Sequence, residues 1–206
     1  MKLTAFLSPL AAGFLIVGAL SLVADSRSAL YAVVPIKSYH MYRSGDLVFR
    51  QGVDAVSVAV LATKPLSQYS HIGLIMVKGK QVLVIHAAPA EDKLEVDGVK
   101  IETLALFSQS NRAMHIAVMR VSNDRAIGKL ATKNALKYLG RPFDAAFNLQ
   151  NEDSIYCTEL VARAYLPLQI NLIVKLQKIN LPFVEGNYLI PQDVFEKANL
   201  MKVAIF

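Results

Sequence analysis

Two apolar runs on either side of a Lys-Gly-Lys turn place the strongest constraint on the fold of this 206-residue chain. Residues 71–77 read HIGLIMV and residues 81–87 read QVLVIHA. Both runs are rich in apolar and β-branched side chains, and a short turn containing glycine separates them, which is typical of a β-hairpin. The sequence therefore predicts two adjacent antiparallel strands, with His71 opening the first and His86 near the end of the second.

The rest of the chain predicts further strands, followed by helices. The other strands are predicted at residues 45–50, 98–104, 115–121 and 202–206. A long helix is predicted to begin after Asn123 or Asp124 and to end at Leu139, before Gly140. Shorter helices are predicted at residues 158–165 and from residue 191, whereas residues 53–63 fit a helix or a strand. Strands first, with helices around the sheet, predict an α+β domain.

Composition and motifs exclude several classes of function. Hydrophobic residues make up 54% of the chain and charged residues 18%, a balance that excludes intrinsic disorder. The single cysteine excludes an intramolecular disulfide and a multi-cysteine zinc site. The formal net charge of +6 is scattered, without a basic run interleaved with aromatics, so no nucleic-acid partner is expected. Phosphate-loop, dinucleotide, GxSxG and HExxH motifs are missing from the sequence, and neither a cofactor nor a metal is expected.

The N-terminus predicts export. Lys2 is followed by an uncharged apolar run over residues 6–24, which is the pattern of an export signal and is nearly long enough to span a bilayer. Cleavage near Ala24 or Ala29 and retention as a membrane anchor both fit. We therefore expect residues 1–29 to be a signal peptide or anchor and residues 30–206 to form one domain, exported to the periplasm or held at the inner membrane.

The single cysteine, Cys157, stands at the start of a predicted helix. A helix N-terminus presents unpaired backbone N–H groups and a partial positive charge, which favour a thiolate and can hold an oxyanion. The sequence therefore makes Cys157 a candidate nucleophile. The alternative is a lone cysteine that packs as a small hydrophobic residue.

A nucleophilic cysteine needs a base, and the hairpin offers two histidines. If the turn is centred on Lys78-Gly79, or spans residues 77–80, His71 lies directly opposite His86 on one face of the sheet. A three-residue loop would put the two rings on opposite faces. The other two histidines, His40 in a connector and His115 in a strand, are expected to have no catalytic role.

Four short segments together resemble a known family. They read GDLVF at 45–49, YSHIG at 69–73, LGRPFD at 139–144 and YCTELV at 156–161. In this order, from residue 45 to the C-terminus, the chain resembles the circularly permuted branch of the papain-like NlpC-type cysteine hydrolases, the YiiX/YaeF-like group. The histidine before the cysteine is the order expected of the permuted branch.

This resemblance implies roles for individual residues. Cys157 would be the nucleophile, His71 the base and His86 the third polar residue, with the Tyr156 hydroxyl either assisting the oxyanion or only packing. The permuted branch often carries Glu where this chain has His86. The implied fold is a curved antiparallel β-sheet or barrel packed against the nucleophile helix, preceded here by an N-terminal apolar helix.

The resemblance also implies the class of substrate. We expect hydrolysis of an amide bond in a peptide or acyl-amide, with cell-wall peptides as candidates for an exported cationic domain. A lipid acyltransferase or esterase on the same fold is the alternative, with residues 168–183 lining an acyl pocket. A catalytically inactive binding module, tethered to the membrane through residues 6–24, is the third interpretation.

Overall fold

The computed structural model describes residues 40–90, 95–173, 175–181, 184–197 and 199–206. The predicted N-terminal helix, the apolar run at 6–24 and the boundary predicted at residue 29 lie outside these residues. Within the described ranges, no helix is both long enough and apolar enough to cross a membrane.

The described residues form the strands and helices of an α+β domain. The strands are β1 (Leu47–Gly52), β2 (His71–Lys78), β3 (Gln81–Ala88), β4 (Gly98–Thr103), β5 (Ala113–Arg120), β6 (Gln177–Leu181), β7 (Val184–Tyr188) and β8 (Met201–Ile205). The helices are α1 (Ala55–Ala62), α2 (Leu104–Phe107), α3 (Arg125–Leu136), α4 (Cys157–Tyr165) and α5 (Pro191–Phe195), with a 3-10 turn at Leu166–Leu168. The α+β prediction is confirmed.

Six of these strands form one antiparallel sheet in the order β4-β3-β2-β1-β5-β8. The remaining pair, β6 and β7, forms a separate antiparallel hairpin. Both faces of the sheet carry buried apolar side chains, because residues along a strand point alternately to opposite faces. One face packs with α3 and α4 through Leu47, Phe49, Ile72, Leu74, Ile85, Ala131 and Leu160. The other face packs with α2 through Val48, Ile75, Val84, Phe107 and Ile116.

The β2–β3 hairpin has a different register from the predicted one. Val77 pairs with Val82 and Lys78 with Gln81, so the loop is Gly79-Lys80 and not Lys78-Gly79. Gly79 has φ +61°, a conformation that glycine adopts without strain and that suits the first position of a two-residue hairpin loop. The shift moves the partner of each β2 residue by two positions. Because a shift of two preserves the face, His71 and His86 remain on the same side of the sheet but are diagonal, not directly opposed.

Other elements differ from the prediction mostly at their ends. Residues 53–63 contain a helix, α1, and not a strand. Asp54 caps this helix by accepting a hydrogen bond from the Ser57 N–H at 2.9 Å. The strand predicted over 98–104 ends at Thr103, whose side chain caps the short helix α2. The long helix ends at Leu136, three residues before the predicted position, and a turn leads on to residue 140.

Candidate active site

Cys157 is the first residue of α4 and is 5% exposed. Its Sγ lies 3.7 Å from Thr158 Oγ1, and the Thr158 hydroxyl and the backbone N–H groups of Ile72 and Thr158 act to lower the pKa of the thiol. These contacts stabilise a thiolate, as the position at a helix N-terminus predicts. Burial outweighs them and raises the pKa of the Cys157 thiol above its ordinary value. Burial therefore opposes the thiolate that the helix N-terminus favours, and this desolvation is not visible in the sequence.

His71 and His86 are in direct contact across the hairpin. His71 Nε2 lies 2.9 Å from His86 Nδ1, and the two ring planes are nearly perpendicular at 79°. Gly73, between them on β2, lies directly opposite His86 and has no side chain to fill this space. A Cβ on Gly73 would lie 3.1 Å from the His86 Cβ and 2.6 Å from Val84 Cγ1. The glycine of the YSHIG segment thus makes room for the diagonal contact between the imidazoles.

Burial and neighbouring cations keep the His71 ring neutral. The pKa of His71 lies well below its ordinary value, first because the ring is buried and then because of the positive charge of Arg50. His71 uses Nε2 to contact His86, which leaves Nδ1 as the ring nitrogen available to a thiol proton. With the thiol pKa raised and the imidazole pKa lowered, the resting site contains a neutral cysteine and a neutral histidine.

Cys157 and His71 border one cavity of about 530 Å³. Cys157, as part of α4, packs in the core on one side of the sheet. The two imidazoles lie beside Phe107 on the opposite side of the sheet. Cys157 and His71 nevertheless line the same cavity, and His71 is the first residue of β2. Among the described contacts, no hydrogen bond joins the sulfur to the His71 ring. Catalytic hydrogen bonds are often longer without substrate and tighten when it binds.

The sequence interpretation missed Glu102, the next charged residue in this row. The carboxylate Oε1 of Glu102 lies 3.2 Å from His86 Nε2, within ion-pair distance although without ideal hydrogen-bond geometry. Its other oxygen accepts a hydrogen bond from Arg112 Nη1 at 3.1 Å. Burial opposes ionisation of Glu102, but the contacts with His86 and Arg112 outweigh it and lower the pKa of the carboxyl. No sequence signal connects β3 to β4 in register, so the contact was not predictable.

Tyr156 occupies the N-cap position of α4 and is 1% exposed. Its hydroxyl accepts a hydrogen bond from the Leu189 N–H at 3.3 Å, and its ring packs edge-on against Phe147. Burial raises the pKa of this hydroxyl, so Tyr156 stays protonated. The packing role that the sequence allowed is present, and assistance to an oxyanion stays a prediction.

Other residues of the recognised segments hold loops in place. Asp46 forms an ion pair with Arg120 at 2.7 Å and accepts a hydrogen bond from the Arg43 N–H. Asp144 accepts hydrogen bonds from two backbone N–H groups of the following turn, at 2.9 and 2.8 Å. His40 and His115 are exposed and do not line either cavity at Cys157.

A second cavity, of about 320 Å³, also reaches Cys157. Its walls are mostly apolar and come from α1, from Phe147 and Tyr156, and from the segment Tyr188 to Pro191. Residues 168–183 were the predicted lining of an acyl pocket. None of their described members borders either of these two cavities, so an acyl pocket lined by this stretch stays a prediction.

A buried cysteine at a helix N-terminus, facing a strand that begins with histidine, defines the papain-like class of thiol hydrolases in its permuted order. Residues 41–204 match the family described as permuted papain-like amidase enzyme, YaeF/YiiX, C92 family, and the chain belongs to this family. None of the curated proteins matches the chain.

Among solved structures, the chain is similar to the crystal structure of the metalloprotein yiiX from Escherichia coli O157:H7. The TM-score is 0.66 at 24% identity, over 80% of this chain and 97% of that one, and this likeness shows the fold. Within the described part of the present chain, no group of three or more His, Cys, Asp or Glu side chains is placed to hold a metal ion.

Proposed function

We propose that this member of the amidase family is a thiol hydrolase in which Cys157 attacks the carbonyl carbon of an amide and His71 is the base. The observation that carries the proposal is the common cavity of about 530 Å³. The Cys157 thiol, at the N-terminus of α4, and the His71 imidazole both line this cavity. The direct contact between His71 and His86 supports it, because a base needs a partner that fixes its orientation.

The proposed reaction starts from the neutral pair. His71 Nδ1 takes the proton of the Cys157 thiol as the sulfur bonds to the carbonyl carbon, and the carbonyl oxygen becomes an oxyanion. Backbone N–H groups at the start of α4 stabilise this oxyanion. The imidazolium then protonates the leaving amine as the C–N bond breaks. Water, deprotonated by His71, hydrolyses the thioester and returns the thiol and a carboxylic acid.

The first test is amine release from murein peptides by the wild type and Cys157→Ser. Serine is close in volume to cysteine, so the fold should survive, but a hydroxyl near its ordinary high pKa is a much poorer nucleophile. We expect no measurable turnover by Cys157→Ser. His71→Ala should lose at least about 100-fold, the lower range of general base catalysis. His115→Ala is the matched control and should keep wild-type rates, since His115 is exposed. Turnover retained in Cys157→Ser would contradict the thiol mechanism.

Cell-wall peptides are the substrate we propose, together with export through residues 6–24. The second candidate is an acyl ester or amide of a lipid. The apolar cavity of about 320 Å³ at Cys157 favours it, and so does helix α1 in the cavity wall, where Val56 is 37% exposed. To separate the two candidates, the wild type and Cys157→Ser are each incubated with murein peptides and with phospholipids. The substrate is the one from which the wild type, but not Cys157→Ser, forms a product.

A binding module without catalysis is the remaining alternative. In that case the native Cys157 would stay unlabelled by low-dose iodoacetamide at neutral pH while the urea-unfolded chain is alkylated. An enzyme should be alkylated in the native state, and His71→Ala should slow that labelling because the base is lost. Mass spectrometry of the intact chain measures both rates, and the single cysteine makes the assignment unambiguous.

A further inference from the structure

We infer that Glu102 is a positioning residue for the candidate base: through His86, its carboxylate fixes which nitrogen of His71 accepts the thiol proton and stabilises the imidazolium that forms. The inference rests on the proposed function and extends it to a residue that does not border the reaction cavity.

The first argument is the placement of the three side chains on one face of three neighbouring strands. Glu102 pairs with Val84, two residues from His86 on β3, and His86 in turn lies opposite Gly73, two residues from His71 on β2. The side chains therefore form a diagonal row with contacts of 2.9 Å and 3.2 Å. His86 Nε2 and Glu102 Oε1 are both buried, and neither has a hydrogen-bond partner of good geometry among the described residues, so their 3.2 Å approach is a contact within ion-pair distance.

The second argument concerns the positions of the protons. An ionised carboxylate can only accept, so Glu102 requires a proton on His86 Nε2. A neutral His86 then has an unprotonated Nδ1, which can only accept from His71 Nε2–H. A neutral His71 protonated at Nε2 has an unprotonated Nδ1, and this is the nitrogen left to take the thiol proton. One carboxylate thus determines the tautomer of both rings.

The third argument is the charge that develops when His71 is protonated. Arg50 and Lys100 disfavour a positive charge on either ring. Glu102 opposes them: its contact with His86 favours the charged form of that ring. His86 is 0% exposed and lies edge-on to Phe107 at 5.3 Å, so bulk water does not take the place of this carboxylate.

The test begins with the tautomers themselves, read from ¹⁵N chemical shifts of the histidine rings at neutral pH. We expect His71 and His86 of the wild type to be protonated at Nε2. In Glu102→Gln the side-chain amide can donate to His86 Nε2, so both rings should populate the Nδ1-protonated form. Glu95→Gln is the matched control, because Glu95 also pairs with Arg112 and is not part of the row formed by His71, His86 and Glu102. Unchanged tautomers in a folded Glu102→Gln would overturn the inference.

Kinetics supply the second readout. In Glu102→Gln, kcat should fall at least about tenfold with KM unchanged, since the lost interaction strengthens only in the transition state. The double variant Glu102→Gln with His86→Glu should recover kcat, because it returns one carboxylate to the row in direct contact with His71. A Glu102→Gln enzyme with the wild-type kcat would refute the inference while leaving the proposed function intact. Turnover by Cys157→Ser would refute the proposed function, and the tautomer measurement still decides the role of Glu102 in that case.

Discussion

Glu159, two residues after the candidate nucleophile, should make the stability of this protein depend on pH. The carboxyl is 1% exposed, in the first turn of α4, and its nearest cation is Arg163, 2.6 Å away on the next turn. Burial dominates and raises the pKa of Glu159 to about 7, with a smaller contribution from the negative charge of Asp144. The folded protein therefore favours the protonated acid, whereas an unfolded chain ionises it near its ordinary value.

The sign and size of the effect follow from this difference. Because the folded pKa is raised, the stability that the protonated form contributes is complete below the unfolded pKa and is lost as the pH rises through the folded pKa. The shift from 4.5 to about 7 corresponds to about 3 kcal/mol at about 1.4 kcal/mol per pKa unit. Glu159→Gln stays neutral at every pH and keeps the shape of the side chain. The variant should therefore gain up to that amount relative to the wild type between pH 5 and pH 8.

Urea denaturation of both proteins at these two pH values measures the difference in the free energy of unfolding. Other titrating groups, including the buried histidines, are common to the two proteins and cancel in the comparison. Glu152→Gln is the control, because Glu152 is exposed and its replacement shows the general effect of removing one carboxylate. A difference between the wild type and Glu159→Gln that is equal at pH 5 and pH 8 would refute the burial argument.

Two further predictions concern the hairpin and the N-terminus. Gly73→Ala should force His86 and Val84 away from β2. We therefore expect a loss of about 1–3 kcal/mol in stability, measured by urea denaturation, and a loss of most turnover, measured by amine release. A variant with wild-type values for both would show that the glycine is not required. Residues 1–40 fused to a reporter that is active only outside the cytoplasm should give reporter activity that deletion of residues 6–24 abolishes; a silent fusion that accumulates in the cytoplasm would contradict export.

The fold was predictable where the signals were local. The alternation of apolar residues and the turn glycine located β2 and β3, and the capping residue Asp124 located the start of α3. The hairpin register with the turn centred on Lys78-Gly79 was wrong, because it puts the glycine at the second position of the loop. A preference for glycine at the first position of a two-residue loop is the signal that would have selected Gly79-Lys80. The prediction that the histidines share a face survived, because both registers have the same parity.

Contacts between strands that are distant in sequence were the part that could not be predicted. Nothing in residues 98–103 marks Glu102 as the partner of His86, since that contact depends on how β4 aligns with β3. The sequence also does not show how deeply a titratable side chain is buried. The helix N-terminus favours a thiolate at Cys157, whereas desolvation raises the pKa of the thiol, and only the structure shows the second effect.

If the resting site is uncharged, catalysis depends on stabilising the two charges that form when the thiol proton moves. In a site with a preformed thiolate and imidazolium, the charges already exist before the substrate binds. Here burial disfavours both charges, so the proton moves to His71 only when other groups stabilise the separated charges. The N–H groups at the start of α4 are placed to stabilise the negative charge, first on the Cys157 sulfur and then on the oxyanion. For the positive charge, the inferred arrangement has His86 accept from His71 at 2.9 Å, with the Glu102 carboxylate 3.2 Å from the far side of the His86 ring. A buried thiol beside a neutral base is therefore compatible with catalysis because each developing charge has a partner already in place.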